Sequence, residues 1–321
     1  MKTTGVDKQA RRSSESRKLK PSIRRLSKVS LSRLIPNRVH SVVNLLRDWY
    51  FRLALQFGPR RRLGSRPVDG EVIVSLTTFP PRVWQCAVAI ESIFRQTIHP
   101  AAVLLTLASE EFPGKKVPWA LRKLVKRGLD IAWVDENNKS YDKLLTASLR
   151  YPDHAIITID DDKILNPWFL EEMAAAHSQF PNHVIGYRGW EMRSEDANIR
   201  YGDGWVRATE ETPSLKLFLP GNAGVLYPKG SLGEKLHRMD IAHSLSPTND
   251  DFWFWGLVHE SRTPLMCLGK PPHRSIASMR RSPALRDVNE GSNDDQFQKT
   301  IDHFQLRSDL IRACAMPRPK R

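Results

Sequence analysis

Apolar residues first gather into strand-length runs at Glu71–Phe79, Glu-Val-Ile-Val-Ser-Leu-Thr-Thr-Phe, a segment that Pro80-Pro81 ends. Val83, Ala87, Ile90, Ile93 and Phe94 then recur at helical spacing, which predicts a helix over Val83–Gln96. Ala101–Ala108 reads as a second strand, and Trp119–Arg127 as a basic amphipathic helix that Gly128 stops. Leu129–Asp135 is a third strand, and Ser140 is positioned to cap a helix reaching about Leu149. The fourth strand, Ala155–Ile159, has Ile at three of its positions and reads as buried on both faces. This βαβαβαβ order predicts an α/β fold, an open and mostly parallel sheet with helices on both faces. In such sheets ligands bind outside the carboxyl ends of the strands.

Three of those ends carry polar side chains: Thr77-Thr78 with Arg82 nearby, Asp135, and the triplet Asp160-Asp161-Asp162. Carboxylates that close repel, and a strand end of low dielectric raises their pKa values unless a cation lies between them. Hard oxygen ligands there suit Mg²⁺ or Mn²⁺ shared with substrate phosphates. Alternation along an extended chain lets Asp160 and Asp162 point one way and Asp161 another. For an isolated triplet, a solvated acidic turn is the competing reading. Convergence of several strand ends on one edge favours a site. Neither G-x-G-x-x-G after the first strand nor G-x-x-x-x-G-K-[ST] occurs, which disfavours a dinucleotide-binding domain and a phosphate-binding loop of that kind.

Past the triplet, Pro167-Trp168-Phe169-Leu170-Glu171-Glu172 reads as a helix start with Pro and acids in its first turn. The pattern turns to β from Val184 to Trp205, and residues 191–216 are polar and loop-rich. Gly221-Asn222-Ala223-Gly224 lets backbone approach a ligand, or makes a tight turn before a strand. Asp250 and Asp251 stand at the head of the aromatic run Phe252-Trp253-Phe254-Trp255. They are either the acidic N-terminus of a helix or a general base beside aromatic walls. His273, in Pro-Pro-His-Arg, is either a further metal ligand or a structural histidine.

Composition adds size and charge placement. With 321 residues, 40% hydrophobic and 26% charged, the chain can bury a full core. Its three cysteines, Cys86, Cys267 and Cys314, are far apart and odd in number, which points to a reducing, cytoplasmic setting without disulfides. The net charge of +15 is concentrated in residues 1–70, where 18 Lys/Arg stand against 4 Asp/Glu. A near-neutral body disfavours specific nucleic-acid binding. Residues 1–38 read as a disordered basic tail, 39–66 as an amphipathic helix and linker, 67–305 as the α/β domain and 306–321 as a basic C-terminal tail. The segment from Val39 to Phe57 is too charged and short to span a membrane. It either lies on an anionic membrane surface, which would hold the protein at the cytoplasmic face of the inner membrane, or packs on the body.

Taken together, these residues resemble the bacterial GT-A-fold, family-2-like nucleotide-sugar glycosyltransferases of capsule and cell-surface glycan assembly. The resemblance covers about residues 71–305. Val-Ser-Leu-Thr-Thr-Phe-Pro-Pro-Arg is similar to that family's first strand and nucleotide loop, and Ser140-Tyr141-Asp142-Lys143-Leu144 to the segment before its D-x-D strand. Asp160-Asp161-Asp162 followed by Ile164-Leu165-Asn166-Pro167 resembles its D-x-D-D-hydrophobic-x-x-P pattern, with Lys163 where a third acid is frequent. Pro247-Thr248-Asn249-Asp250-Asp251 resembles its later acidic motif, and no Q-x-x-R-W motif of processive synthases occurs.

The resemblance implies a metal-dependent sugar transfer from a nucleotide-diphosphate donor to a glycan or lipid-linked acceptor. Asp162, with Asp160 and His273, would hold Mn²⁺ or Mg²⁺. Thr77, Thr78, Arg82, Asp135, Lys143, Asp160 and Asp161 would contact the donor. Asp251, or Asp250 in its place, would be the base of an inverting displacement. Two other classes stay open: a Mg²⁺-dependent hydrolase or phosphotransferase using the triplet, and a non-enzymatic protein that binds membrane surfaces through its basic extension.

Overall fold

A computed structural model describes residues 46, 49–57, 63, 72–194, 198–208, 214–270, 273–276 and 291–315. The expected basic tail 1–38 lies outside the described residues.

The four strands read from the apolar pattern form as β1 (Val72–Thr77), β2 (Ala102–Ala108), β3 (Leu129–Val134) and β4 (Ala155–Thr158). Between them lie α2 (Val83–Ile93), α3 (Trp119–Val125) and α4 (Asp142–Arg150), with α1 (residues 49–57) ahead of β1. After β4 come β5 (Lys163–Ile164), α5 (Phe169–Gln179), β6 (Val184–Gly186), β7 (Trp190–Glu191), β8 (Val206–Arg207), β9 (Leu217–Phe218) and β10 (Val225–Tyr227). The chain continues through α6 (Met239–Leu245), α7 (Asp250–Glu260), β11 (Leu265–Cys267), β12 (Arg274–Ser275), α8 (Asn293–His303) and α9 (Arg307–Ala315).

Seven strands make the main sheet in the order β11-β6-β10-β4-β1-β2-β3. β1 pairs in parallel with both β2 and β4, and β3 with β2, as the βαβ order requires. β10 alone is reversed, running antiparallel between β4 and β6. The sheet is therefore mostly parallel, with helices on both faces.

Alternation along β1 divides the core. Val72, Val74 and Leu76 join Cys86, Ile90 and Ile93 of α2, Leu121 and Leu124 of α3, and Phe169 and Met173 of α5. Ile73 points to the other face, into a cluster with Leu144 of α4, the aromatic residues of α7, and Phe297 and Ile301 of α8. A strand buried on both faces has no polar positions to spare until it ends. That is why the polar groups of β1 and β4 accumulate at their carboxyl ends.

Two local expectations change, and one reading left open gains an observation. Ser140 does not cap α4: a 3₁₀ turn, Lys139–Tyr141, leads into the helix, and no side chain caps it. Instead the Asp142 carboxylate accepts the Asn138 N–H at 3.0 Å and closes the turn. The supposed C-terminal tail from residue 306 carries α9, with Leu306 and Leu310 buried in the core. Its many basic residues hid an i, i+4 apolar pair that is enough to dock a helix. Finally, α1 packs on the body by one face: Phe51 clusters with Val88 and Ala89 of α2, Ile164 of β5 and Ile276. Among the described residues no helix is long and apolar enough to cross a membrane.

Candidate functional site

The carboxyl ends of β1, β2 and β4 open onto a cavity of about 750 Å³. Thr77, Thr78 and Arg82 line it from the end of β1, Glu111 from the segment after β2, and Asp160, Asp161 and Asp162 from the end of β4. Lys143 enters from α4, and Arg188, Asn222 and His273 come from the later half of the chain. Most of the residues picked out in the sequence thus share one cavity.

The triplet is spread over different partners. Asp161 is buried: Thr78 Oγ1 donates to its Oδ2 at 2.6 Å, and Arg82 Nη1 lies 3.0 Å from its Oδ1. Burial pushes its pKa up to about 6 against the pull of Arg82 and Thr78. Asp161 thereby spends both oxygens on fixing Arg82 and the loop after β1. Asp162 faces two cations, with Lys163 Nζ 2.8 Å from Oδ1 and Arg82 Nη1 3.9 Å from Oδ2. Asp160 is the most open of the three, and its Oδ1 lies 3.4 Å from Lys143 Nζ.

Lys143 links the cavity to the later acidic pair. Its ammonium, buried, stands 3.1 Å from Asp250 Oδ2 as well as 3.4 Å from Asp160. Burial opposes its charge, but Asp250, Asp160 and Asp251 outweigh that and hold its pKa well above the ordinary lysine value. The backbone of Lys143 is fixed too, because its carbonyl accepts from Ser75 Oγ on β1.

Asp250 and Asp251 are the first turn of α7, whose N-cap Asn249 accepts the Asp251 N–H at 3.2 Å. The pair is a helix N-terminus, then, and it also adjoins the site. Neither carboxylate is among the residues that line the cavity: Asp250 is buried against Lys143, and Asp251, partly exposed, adjoins the cavity at Gly221. Gly221 marks how close the contact is: a Cβ there would come within 2.5 Å of Asp251 Oδ1. The backbone of Gly221 hydrogen-bonds the Asp251 carboxylate, while burial and Asp250 push that carboxyl up to about 7. Three residues on, Gly224 takes φ +90°, with the Phe169 ring where a side chain would go.

His273 is held by rings. It stacks on Tyr187 at 4.7 Å and meets Phe169 edge-on at 4.9 Å. Burial, with Lys163 and Arg188 nearby, lowers its pKa to about 4, so the imidazole is neutral. It reaches the cavity because β12 pairs with β5, setting Ser275 opposite Lys163.

Asp135 falls outside this arrangement. Its side chain is 88% exposed, accepts from Ser109 Oγ at 2.8 Å and lies 3.5 Å from Lys115. β3 is the outermost strand, so its carboxyl end lies at the sheet edge, and Glu111 takes the place expected of Asp135 on the cavity wall.

Arg188 had no sequence signal, and Asn222 had only its place in the Gly221-Asn222-Ala223-Gly224 turn. Both come from segments next to β10, and only the reversed pairing of that strand with β4 and β6 carries them to the cavity. Arg188 Nη2 donates to Asn222 Oδ1 at 2.9 Å. Lys163, legible in the sequence as a cation where a third acid is frequent, is turned onto Asp162 by the fold.

The acids do not fit a resident divalent ion. Each carboxylate of the triplet already meets a cation of the chain, and Asp162 meets one on each oxygen. An ion bound by Asp162 and His273 would sit against the Lys163 ammonium. Among the described residues no three or more His, Cys, Asp or Glu side chains are grouped to hold a metal.

No protein-family model and no curated protein matches the chain. Distant likenesses occur among solved structures. S. aureus TarS 1–349 is 12% identical over 74% of this chain, with a TM-score of 0.44, and the match spans 65% of that chain, just under two thirds. The same protein in complex with UDP gives 12% identity over 75% of this chain and 70% of that one, with a TM-score of 0.46. A mannosyltransferase, PcManGT from Pyrobaculum calidifontis in complex with GDP-Man and Mn²⁺, is 15% identical over 86% of this chain and 77% of that one, with a TM-score of 0.48. Likenesses this distant leave the site to be read from its own residues.

Proposed function

We propose that this chain is a GT-A-type glycosyltransferase that moves a sugar from a nucleoside-diphosphate donor to an acceptor hydroxyl, in cell-surface glycan assembly. The observation that carries the reading is the cavity at the carboxyl ends of β1, β2 and β4, where the triplet, Arg82 and Lys143 converge. A donor needs cationic groups at its diphosphate, acceptors for its sugar hydroxyls and a base within reach of the incoming oxygen. Arg82 and Lys143 are cations on the wall, and Asp160 is the most open carboxylate of the triplet, suited to hydroxyl recognition. Asp161 and Thr78 position Arg82 rather than touch the donor, since their polar atoms are spent on one another and on Arg82.

In the transfer, the acceptor oxygen bonds to the anomeric carbon as the bond from that carbon to the diphosphate oxygen breaks. The bonding electrons leave with the diphosphate, and the acceptor proton goes to Asp251. A carboxylate raised to about 7 is matched to that task near neutral pH. Lys143, between Asp160 and Asp250, fixes the distance from the sugar-facing carboxylate to the acidic pair. No step of this reading runs through a divalent ion.

The acceptor side is a lipid-linked or surface glycan, and α1 supports it. While Phe51 and Leu55 are buried, Leu46, Trp49, Tyr50, Leu53 and Phe57 are exposed. An outward row of Leu, Trp, Tyr and Phe suits the interface of an anionic membrane. Its buried side braces β5, so a membrane held there would lie close to the cavity.

The reading is tested by thermal shift with UDP, GDP and their sugar conjugates. A binding donor should raise the melting temperature in proportion to the logarithm of its concentration. Indifference to every nucleoside diphosphate and nucleotide sugar would reject the proposal.

A further inference from the structure

Arg188 differs from the other cations on the cavity wall that are at least partly buried; Lys139 is exposed. Arg82, Lys143 and Lys163 each have a carboxylate within 4 Å. Arg188, partly buried, has none among the described residues, and its buried Nε has no hydrogen-bond partner there. Among the described residues it donates to the Asn222 amide oxygen at 2.9 Å, while burial and Arg207 lower its pKa. A guanidinium taken out of water without an acid is costly. It is kept in place by Asn222 and by cation–π contact with Trp190, 5.9 Å from the ring centroid. The planar fork of an arginine matches two oxygens of a phosphate at once.

Lys163 completes the arrangement. It stands where a third acid would serve a metal, yet its ammonium bridges Asp162 Oδ1 at 2.8 Å and Ser275 Oγ at 2.9 Å. The cavity wall thus carries five cations, Arg82, Lys139, Lys143, Lys163 and Arg188, against the triplet and Glu111. Its own charge is positive before any ligand or ion arrives.

We propose that Arg188, with Lys163, binds the diphosphate of the donor, so that side chains and not a divalent ion neutralise the leaving group. This rests on the glycosyltransferase reading above and specifies its leaving-group site. As the anomeric carbon–oxygen bond breaks, its electron pair stays on the terminal phosphate oxygen of the nucleoside diphosphate. The added negative charge falls against the Arg188 guanidinium. Asp162 offsets part of the Lys163 charge and is not a metal ligand.

The test is calorimetric titration of the full chain with inorganic pyrophosphate, UDP and GDP, in excess EDTA and again with Mn²⁺. Pyrophosphate and one of the nucleotides should bind in EDTA within about threefold of the affinity with Mn²⁺. Arg188→Met, which keeps the aliphatic stem, should weaken both ligands about 10- to 100-fold, the range for a charged hydrogen-bonding group. Arg188→Lys should recover part of that loss, and the melting temperature of Arg188→Met should match the wild type, because no ion pair is broken. Asp162→Asn separates the two roles most sharply: binding of pyrophosphate in EDTA should hold or tighten a few-fold. Binding that requires Mn²⁺, or an Arg188→Met affinity equal to wild type, or loss of binding in Asp162→Asn with its fold intact, would overturn the inference and leave the glycosyltransferase reading standing. Arg188-dependent binding of pyrophosphate in EDTA with no binding of either nucleotide would keep the anion site and reject that reading.

Discussion

Two buried charge clusters flank the sheet, and they are built differently. On the α2 side, Glu91 is fully buried and lies 2.7 Å from Arg95 Nε and 2.5 Å from Arg127 Nη1. Neither arginine nor the glutamate lines the cavity. At the carboxyl edge, Lys143 lies 3.1 and 3.4 Å from Asp250 and Asp160, Arg82 is shared between Asp161 and Asp162, and Arg188 has no acid among the described residues. The first cluster is closed, with short contacts and one acid meeting two cations. The second is open, with longer, shared contacts that a ligand can rearrange. Burial alone does not mark a functional charge; unfinished pairing on a cavity wall does.

The comparison breaks most visibly at Asp251. Asp251→Asn keeps the Gly221 contact and the helix start, so it should leave donor affinity intact and lower transfer by about 10²–10⁴, the usual worth of a general base. Full transfer in this variant, measured with any donor found to bind, would detach the acidic pair from the chemistry. In the closed cluster the effect should fall on stability instead. Arg127→Met leaves a buried glutamate short of one partner and should cost about 3 kcal/mol in urea unfolding, with no change in nucleotide affinity.

A smaller effect concerns pH. Asp251 is raised to about 7 in the fold and Asp161 to about 6, both above the ordinary aspartate value. The native state therefore holds these protons more tightly than the unfolded chain does. Their stabilising contribution is complete below about pH 4 and is lost as pH rises through 6 to 7. Asp251→Asn should accordingly melt higher than wild type at pH 8, by a margin that disappears near pH 4. Transfer by the wild type should rise over the upper part of that window, as the base loses its proton. A variant that melts lower at pH 8 would show the carboxylate to be stabilised by its surroundings.

The smallest effect lies at α1. Trp49→Ser with Phe57→Ser should abolish binding to anionic vesicles while changing stability by no more than about 0.5 kcal/mol, since both are exposed. Phe51→Ala, on the buried side, should do the opposite.

The sequence by itself determined the first half of the architecture and its acidic centre. Each of the first four strands is an apolar run in a βαβ series, so β1, β2, β3 and β4 could be read from the sequence, and with them the edge where Thr77, Arg82 and Asp160 meet, although β4 pairs with β1 and not with β3. The triplet was legible because polar residues can follow a doubly buried strand only at its end. Which carboxylate meets which cation was decided by tertiary structure. Asp161 turns inward to Thr78, Lys163 folds back on Asp162, and Asp135 lands at the sheet edge because β3 is outermost. Arg188 belongs to no motif, and the glycine-flanked turn that holds Asn222 does not by itself say which site it meets. They reach the site because β10 inserts antiparallel between β4 and β6, a long-range pairing that local spacing does not encode. Side-chain periodicity reports which face of an element is buried; the order of strands, and so the neighbours of each strand end, depends on contacts between residues far apart in the chain.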